Sequence, residues 1–170
     1  MKICKHFSEC GGCRFQDIPY KEQLVAKEDK VKDLAAVHKI DTELKPINSS
    51  SPEYYRNKME FSFADQQGLV CGLYSKVERR KVVDIEECLI FSRDLSKILK
   101  AIKDFLKAKK HSVYDKYSHQ GFLRYLIIRE TKFTNQIMVG IATSSSEALD
   151  VKGFTKALTS LKLKSTIKSI

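Results

Sequence analysis

The sequence predicts an α+β fold in which a mainly antiparallel sheet has flanking helices and follows a cysteine-rich N-terminal loop. Short segments that alternate apolar and polar residues come in pairs joined by turns, as antiparallel strands do. Other segments carry apolar residues at helical spacing. Residues 1–19 show neither period but hold three of the five cysteines and a Gly pair. This stretch is therefore predicted to be a loop organised by something other than a core.

Length and composition are those of one folded domain with an appendage. A chain of 170 residues can bury a core without disulfide bonds, and 42% hydrophobic with 31% charged residues is typical of a globular protein. The 31 Lys and Arg residues outnumber the 21 Asp and Glu residues, which gives a net charge of +10. This charge favours a polyanion such as nucleic acid over acidic protein partners, although a basic protein without such a partner has the same composition.

The sequence contains no signal for a membrane or for secretion. No apolar run approaches the ~20 residues that span a bilayer. The first residues lack the apolar segment and the cleavage site of a secretory signal. We therefore expect a cytoplasmic monomer with no membrane partner, in which cysteines are thiols or metal ligands rather than disulfides.

The first regular element is an amphipathic helix predicted over residues 20–40. Its apolar positions share one helical face, and they are Leu24, Val31, Leu34, Ala35 and His38. The helix ends before Pro46. Residues 48–52 favour local turns and are predicted to be a loop.

Three short strands follow and are predicted to form a meander. The alternation of side chains places them at residues 54–64, 69–74 and 81–85. The turns between them are residues 65–68, which end in Gly68, and the charged residues 77–80.

The second half of the chain is predicted to contain two more helices and three more strands. A helix begins after the N-cap candidate Ser92 and reaches about Lys109, with a lysine-rich outer face that we interpret as solvated. The remaining elements are strands over residues 122–131 and 136–142, a helix over residues 147–161, and a strand over residues 166–170. Because the sequence stops inside this last apolar segment, we expect the chain to be part of a longer protein.

Four of the cysteines form a pattern suited to an iron-sulfur cluster. Cys4, Cys10 and Cys13 give the spacing C-x5-C-x2-C, and Cys88 follows far downstream, directly after a predicted strand. Thiolates that converge from a loop and from a distant segment can fix the loop to the domain through one soft metal centre. The Gly pair between two of the cysteines lets backbone amides approach the sulfur atoms.

Other fates of these cysteines remain open. Structural zinc usually draws on two short pairs of ligands, whereas only one CxxC pair is present. A redox CGGC of thioredoxin type follows a strand and opens a helix, and that context is missing. Simple buried cysteines need a core, which the polar loop does not offer. We assign Cys71 to the core, and we place His6 near the ligands rather than among them.

The cysteine segment resembles that of the iron-sulfur RNA uracil-5-methyltransferases. The resemblance includes residues 4–13 together with Gln16, Tyr20, Gln23, Leu24 and Lys27. Further similarity lies in residues 55–61, 72–88 and 123–129, so the resemblance extends over essentially the whole chain. It implies a 4Fe-4S cluster on Cys4, Cys10, Cys13 and Cys88.

The resemblance also implies a methyl transfer from S-adenosylmethionine that this chain cannot perform alone. In the family, a cysteine thiolate adds to uracil C6 and a base later removes the C5 proton, and both groups lie after the region matched here. No Gly-rich cofactor loop occurs in the sequence. We therefore expect residues 1–19 to be the cluster-binding loop, residues 20–165 a central RNA-binding domain, and residues 166–170 the start of a C-terminal methyltransferase domain.

RNA recognition is the task that remains for this chain. A target base must leave its stack, so the protein must hold the flanking strand by its phosphates and by aromatic stacking. The residues we expect to contact a ribosomal or transfer RNA are Arg14, Tyr55, Arg56, Asn57, Lys58, Arg124 and Arg129. The alternative is a stand-alone nucleic-acid-binding module stabilised by zinc or by an iron-sulfur cluster.

Overall fold

The structure is a computed structural model that describes residues 2–170. Within that range it contains three helices, namely α1 (Tyr20–Val37), α2 (Leu95–Ala108) and α3 (Val151–Thr159). The six strands are β1 (Lys58–Asp65), β2 (Leu69–Tyr74), β3 (Val82–Asp84), β4 (Leu123–Thr131), β5 (Gln136–Thr143) and β6 (Thr166–Ser169). None of the described helices has both the length and the apolar character needed to cross a bilayer.

The six strands form one sheet in the order β3-β2-β1-β4-β5-β6. All neighbours are antiparallel except β5 and β6, which run parallel. The predicted α+β class with a mainly antiparallel sheet is confirmed. Residues 166–169, which we assigned to the start of a following domain, are hydrogen-bonded to β5, and the domain boundaries stay a prediction.

The core lies between the sheet and the two later helices. Alternation along β1 buries Met59, Phe61 and Phe63 on the side of α2 and leaves Lys58 and Glu60 outside, as the sequence predicts. Helix α2 contributes the apolar face that its spacing predicts, with Leu95, Ile98, Leu99, Ile102 and Leu106 buried. Burial of each such side chain contributes roughly 1.5–3 kcal/mol to the free energy of folding.

The prediction that β1 begins at residue 54 is wrong, because residues 54–56 are bonded elsewhere. The backbone amides of Tyr54 and Arg56 donate to the carbonyl oxygens of Leu89 and Ile90, both at 2.8 Å. Tyr54 also has a φ of 55°, which a strand does not tolerate. The strand therefore starts only at Lys58.

Helix α3 is shorter than the predicted helix over residues 147–161. Asp150 caps its first turn by accepting a hydrogen bond from the Gly153 amide at 2.9 Å. The side chain of Glu147 instead forms hydrogen bonds with His111 and Ser112, a few residues after the end of α2. These contacts keep residues 147–149 outside the helix.

The apolar face predicted for α1 is not buried. None of the residues of α1 is buried, and Val25, Val31 and Leu34 are about half exposed. The helix is attached at its beginning, where the Gln23 side-chain amide donates to the carbonyl oxygens of Phe15 and Ile18, both at 2.8 Å. A helical period shows which side chains share a face, whereas burial also needs a surface opposite that face.

Candidate metal centre and nucleic-acid interface

Four cysteines from distant parts of the chain line one cavity. Cys4, Cys10 and Cys13 reach it from the N-terminal loop, and Cys88 reaches it from the segment after β3. Cys10 is buried and the other three are half-buried. Among residues 2–170, however, no three His, Cys, Asp or Glu side chains come close enough together to hold a single metal ion.

Backbone hydrogen bonds fix the cysteine loop to the end of β2. The Gly11 amide donates to the Tyr74 carbonyl oxygen at 3.0 Å, and the Lys76 amide donates to the Glu9 carbonyl oxygen at 2.9 Å. A Cβ atom on Gly11 would lie 2.9 Å from the Tyr74 oxygen, so only glycine permits this approach. Cys10 lies between these two hydrogen bonds, and its backbone pairs with that of Ser75 in an isolated antiparallel β-bridge.

A backbone amide points at one of the cysteine sulfur atoms. The Gly12 amide donates to Cys10 Sγ at 3.3 Å, as predicted for the Gly pair, whereas the Gly11 amide donates to the Tyr74 carbonyl oxygen. A Cβ atom on Gly12 would lie 3.1 Å from Leu73 Cδ1 and 3.4 Å from the same sulfur. The Cys4 amide in turn donates to the buried Gln16 side-chain oxygen at 2.9 Å, which orients the start of the loop.

Burial raises the pKa of three of these thiols. The pKa values of Cys10 and Cys13 are raised mainly by desolvation, and that of Cys88 is raised to about 11 by the same cause. Coordination has the opposite effect, because the positive charge of a metal centre stabilises the thiolate. A tetrathiolate donor set is the chemistry that iron-sulfur clusters use, and a polynuclear core is larger than one ion. The four cysteines therefore fit a cluster by their chemistry.

Cys71 is a core residue, as the sequence predicts, whereas the position of His6 outside the ligand set stays a prediction. Cys71 is fully buried in β2, and desolvation strongly raises the pKa of its thiol. It is therefore no candidate for a nucleophile. His6 lies beside the cysteine cavity, where its Nε2 accepts a hydrogen bond from the Glu86 amide at 3.2 Å.

Six of the seven expected RNA contacts lie close to the cysteine loop. Arg14 and Tyr55 line a depression that also includes Cys13, and Tyr55, Asn57 and Arg129 line a neighbouring one. The positive charge of Arg56 acts on the Cys13 thiol. Because the amides of residues 54 and 56 donate to the segment just after Cys88, this cysteine and the candidate RNA contacts belong to one local structure.

Lys58 completes this group through the sheet. It lies directly opposite Arg129 in the pairing of β1 with β4. Its Nζ is 3.5 Å from a carboxylate oxygen of Glu60, and the side chain remains 45% exposed. Lys58 and Arg129 therefore lie side by side at this end of the two strands, and Glu60 offsets part of their positive charge.

Arg124 lies apart from the other six residues. It is near the other end of β4, where its guanidinium is 4.4 Å from the ring centroid of Tyr114 and 5.8 Å from that of Tyr125. These tyrosines belong to a cleft that sequence reasoning missed. The alternation of Tyr114, Lys116, Tyr117, Arg124 and Tyr125 is the signal in the sequence that points to it.

Comparison with known proteins gives this geometry a context. No family model matches the chain. An uncharacterized RNA methyltransferase of Clostridium tetani is 33% identical over 98% of this chain and 38% of its own length. A tRNA (uracil(54)-C(5))-methyltransferase of Pyrococcus horikoshii is 31% identical over 93% of this chain and 37% of its own. The chain belongs to this family of RNA methyltransferases.

A solved structure of the same family agrees with the fold. The crystal structure of Pyrococcus abyssi tRNA (uracil-54, C5)-methyltransferase in complex with S-adenosyl-L-homocysteine matches with a TM-score of 0.66 and 28% identity. The match covers 98% of this chain and 37% of that one. The predicted resemblance to RNA methyltransferases is confirmed. The chain spans a little over a third of the length of the family members it matches.

Proposed function

We propose that this chain is the cluster-binding and RNA-recognition part of an S-adenosylmethionine-dependent RNA uracil-5-methyltransferase. One observation supports this most strongly. Four cysteines line a common cavity directly beside a cationic and aromatic surface, in a chain of the RNA methyltransferase family. Neither the cysteine set nor the surface alone would indicate more than metal or nucleic-acid binding.

Cys4, Cys10, Cys13 and Cys88 are the proposed ligands of a 4Fe-4S cluster. When bound, the cluster supplies a covalent connection between the N-terminal loop and the segment after β3, and the methyl transfer needs no redox step from it. Zinc is disfavoured because structural zinc usually draws on two short pairs of ligands, whereas only one CxxC pair is present. The Gly12 amide would offset negative charge on the Cys10 sulfur.

The surface beside the cluster is the proposed site for the RNA backbone. Arg14, Arg56, Lys58 and Arg129 offer phosphate contacts, and the 57% exposed ring of Tyr55 offers a surface for stacking. Because residues 54–56 are bonded to the segment after Cys88, the cluster stabilises the position of these contacts. Its role in RNA binding is therefore structural.

The complete protein is proposed to methylate uridine C5 in a transfer or ribosomal RNA in the cytoplasm, as a monomer. The Pyrococcus relatives are named for this reaction on tRNA, and the crystal structure of one is a complex with S-adenosyl-L-homocysteine. The nucleophilic cysteine lies outside this chain. Four of its five cysteines are assigned to the cluster, and Cys71 is buried with a raised pKa.

Methylation of RNA by the full-length protein tests this function. We expect the protein with S-adenosylmethionine to form 5-methyluridine in RNA, detected by mass spectrometry of nucleosides, and to crosslink to RNA containing 5-fluorouridine. We expect the 170-residue chain alone to bind RNA without methylating it. A methyl group found on another atom, or turnover by the chain alone, would contradict the proposal.

A further inference from the structure

A second cleft lies on the sheet, separate from the surface beside the cysteines. It measures about 410 Å³ and lies between the ends of β1 and β2, the loop that joins β2 to β3, and residues 113–117. Its walls share no residue with the two depressions around Tyr55. We call it the tyrosine cleft after four of its lining residues, Tyr74, Tyr114, Tyr117 and Tyr125.

Three cations hold these rings in place. The Arg124 guanidinium is 4.4 Å from the ring centroid of Tyr114, and the Arg80 guanidinium is 4.8 Å from that of Tyr117. Lys116 Nζ is 5.2 Å from the centroid of Tyr117. A ring in contact with a cation has less conformational freedom, so less conformational entropy is lost when a planar ligand stacks on it.

The cations are not neutralised by carboxylates. Among residues 2–170, no acidic side chain lies within salt-bridge distance of Arg80, Lys116 or Arg124. The two aspartates in the cleft are bound to their own turns. Asp65 accepts the Gly68 amide at 3.1 Å, and Asp115 accepts the amides of residues 117 and 118 at 2.8 and 2.7 Å.

The exposure of the rings distinguishes a binding surface from simple packing. Tyr117 is 60% exposed, Tyr74 is 48% exposed and Tyr125 is 36% exposed. Rings that only served to stack the cations could lie flat against the domain. An isolated exposed tyrosine is ordinary, whereas several around one concave and positively charged cleft indicate a ligand that offers flat rings and negative charge.

We propose that the tyrosine cleft binds a short unpaired segment of the RNA, a role that rests on the proposed function. Bases stack on Tyr74 and Tyr117, and phosphates contact Arg80 and Arg124. A duplex is excluded because its bases are already stacked inside the helix. Binding by stacking tolerates different bases, so the cleft holds the strand beside the target without reading its sequence.

Two matched double variants test the cleft. Tyr74→Ala with Tyr117→Ala removes the stacking surfaces, and Tyr74→Phe with Tyr117→Phe keeps the rings and removes only the hydroxyl groups. Fluorescence anisotropy with labelled oligouridine measures binding by the 170-residue chain, and circular dichroism confirms folding. We expect the Ala variant to bind at least about tenfold more weakly and the Phe variant to bind like the wild type. Oligouridine annealed to oligoadenosine should be insensitive to both variants.

The outcomes separate this site from the proposed function. Should the Ala variant bind oligouridine as the wild type does while Arg129→Ala weakens binding, the cleft is not a binding site and the proposed function stands. Should the wild-type chain bind no RNA at all, both proposals fail. If the Ala variant does not fold, Arg80→Gln with Arg124→Gln replaces it, and unchanged binding by that variant overturns the proposal. Loss of binding in the Phe variant would also overturn the proposal, because it would show that the hydroxyl groups rather than the stacked rings bind the RNA.

Discussion

Lys58 and Arg129 lie directly opposite each other on the adjacent antiparallel strands β1 and β4. Like charges in this position repel each other and destabilise a sheet slightly. Glu60 offsets part of the charge at Lys58, with 3.5 Å between the charged atoms. The remaining positive charge lies beside Tyr55 and Asn57, where a phosphate group would relieve the repulsion.

Replacing Arg129 by alanine should weaken RNA binding without loss of stability. We expect binding to fall similarly for different RNA sequences, and the slope of log K against log salt to become shallower by about one, because one phosphate contact is removed. The thermal midpoint should stay the same or rise slightly, since the charge opposite Lys58 is gone. Titrations at several KCl concentrations measure the slope.

A matched control for that variant is Lys152→Ala. Lys152 is an exposed lysine of α3, outside both candidate RNA surfaces. This substitution removes the same formal charge as Arg129→Ala and should leave the slope of log K against log salt unchanged. Equal effects of the two variants would mean that only the net charge of the chain attracts RNA.

Replacing Gly11 by alanine should detach the cysteine loop. The added Cβ would lie 2.9 Å from the Tyr74 carbonyl oxygen, which belongs to a strand and cannot move freely. We expect less iron per chain after anaerobic purification and faster proteolysis within the loop. Gly140→Ala is the control, because its Cβ would meet no atom closer than 3.9 Å. Full iron content in the Gly11 variant would show that the close approach does not hold the loop.

The stability of the chain should depend on Glu147 at acid pH. Hydrogen bonds from Ser112 and His111 lower the pKa of this carboxyl from its ordinary value of 4.5. The stabilisation is therefore present above pH 4.5 and is lost as the pH falls through the lower folded-state pKa. Denaturant unfolding at several pH values should show a smaller acid loss in Glu147→Gln than in the wild type. Identical pH profiles would rule out this contribution.

Cys88→Ala and Cys71→Ala should have opposite consequences. The first removes a proposed ligand and should abolish cluster binding and the visible absorption that accompanies it. The second shortens a buried core side chain, so we expect a loss of about 1 kcal/mol in stability with an unchanged iron content. Absorption spectra and denaturant unfolding of both variants distinguish the roles. Loss of iron in Cys71→Ala alone would reverse the assignment.

The parts of the fold that could be predicted are those set by local pattern. Alternation at Met59, Phe61 and Phe63 gives β1 its buried face, and helical spacing gives α2 its face. The cysteine spacing likewise indicates which four thiols share a cavity. For the strand and the helix, the pattern that decides burial repeats along one segment; Cys88 was included because it is a cysteine directly after a predicted strand.

The parts that failed depend on contacts between distant segments. The exposed face of α1 lacks a partner surface among the described residues, and the sequence pattern cannot show this. The late start of β1 follows from hydrogen bonds to Leu89 and Ile90. The tyrosine cleft combines residues from several loops, so that Tyr74 and Tyr117 become neighbours only in the folded chain.

Iron and acid-labile sulfide, measured per chain after anaerobic purification, test most directly whether the four cysteines share one cluster. We predict about four irons and about four sulfides per wild-type chain, as in a 4Fe-4S centre. A chain that binds stoichiometric zinc without sulfide would contradict the cluster and the structural role derived from it.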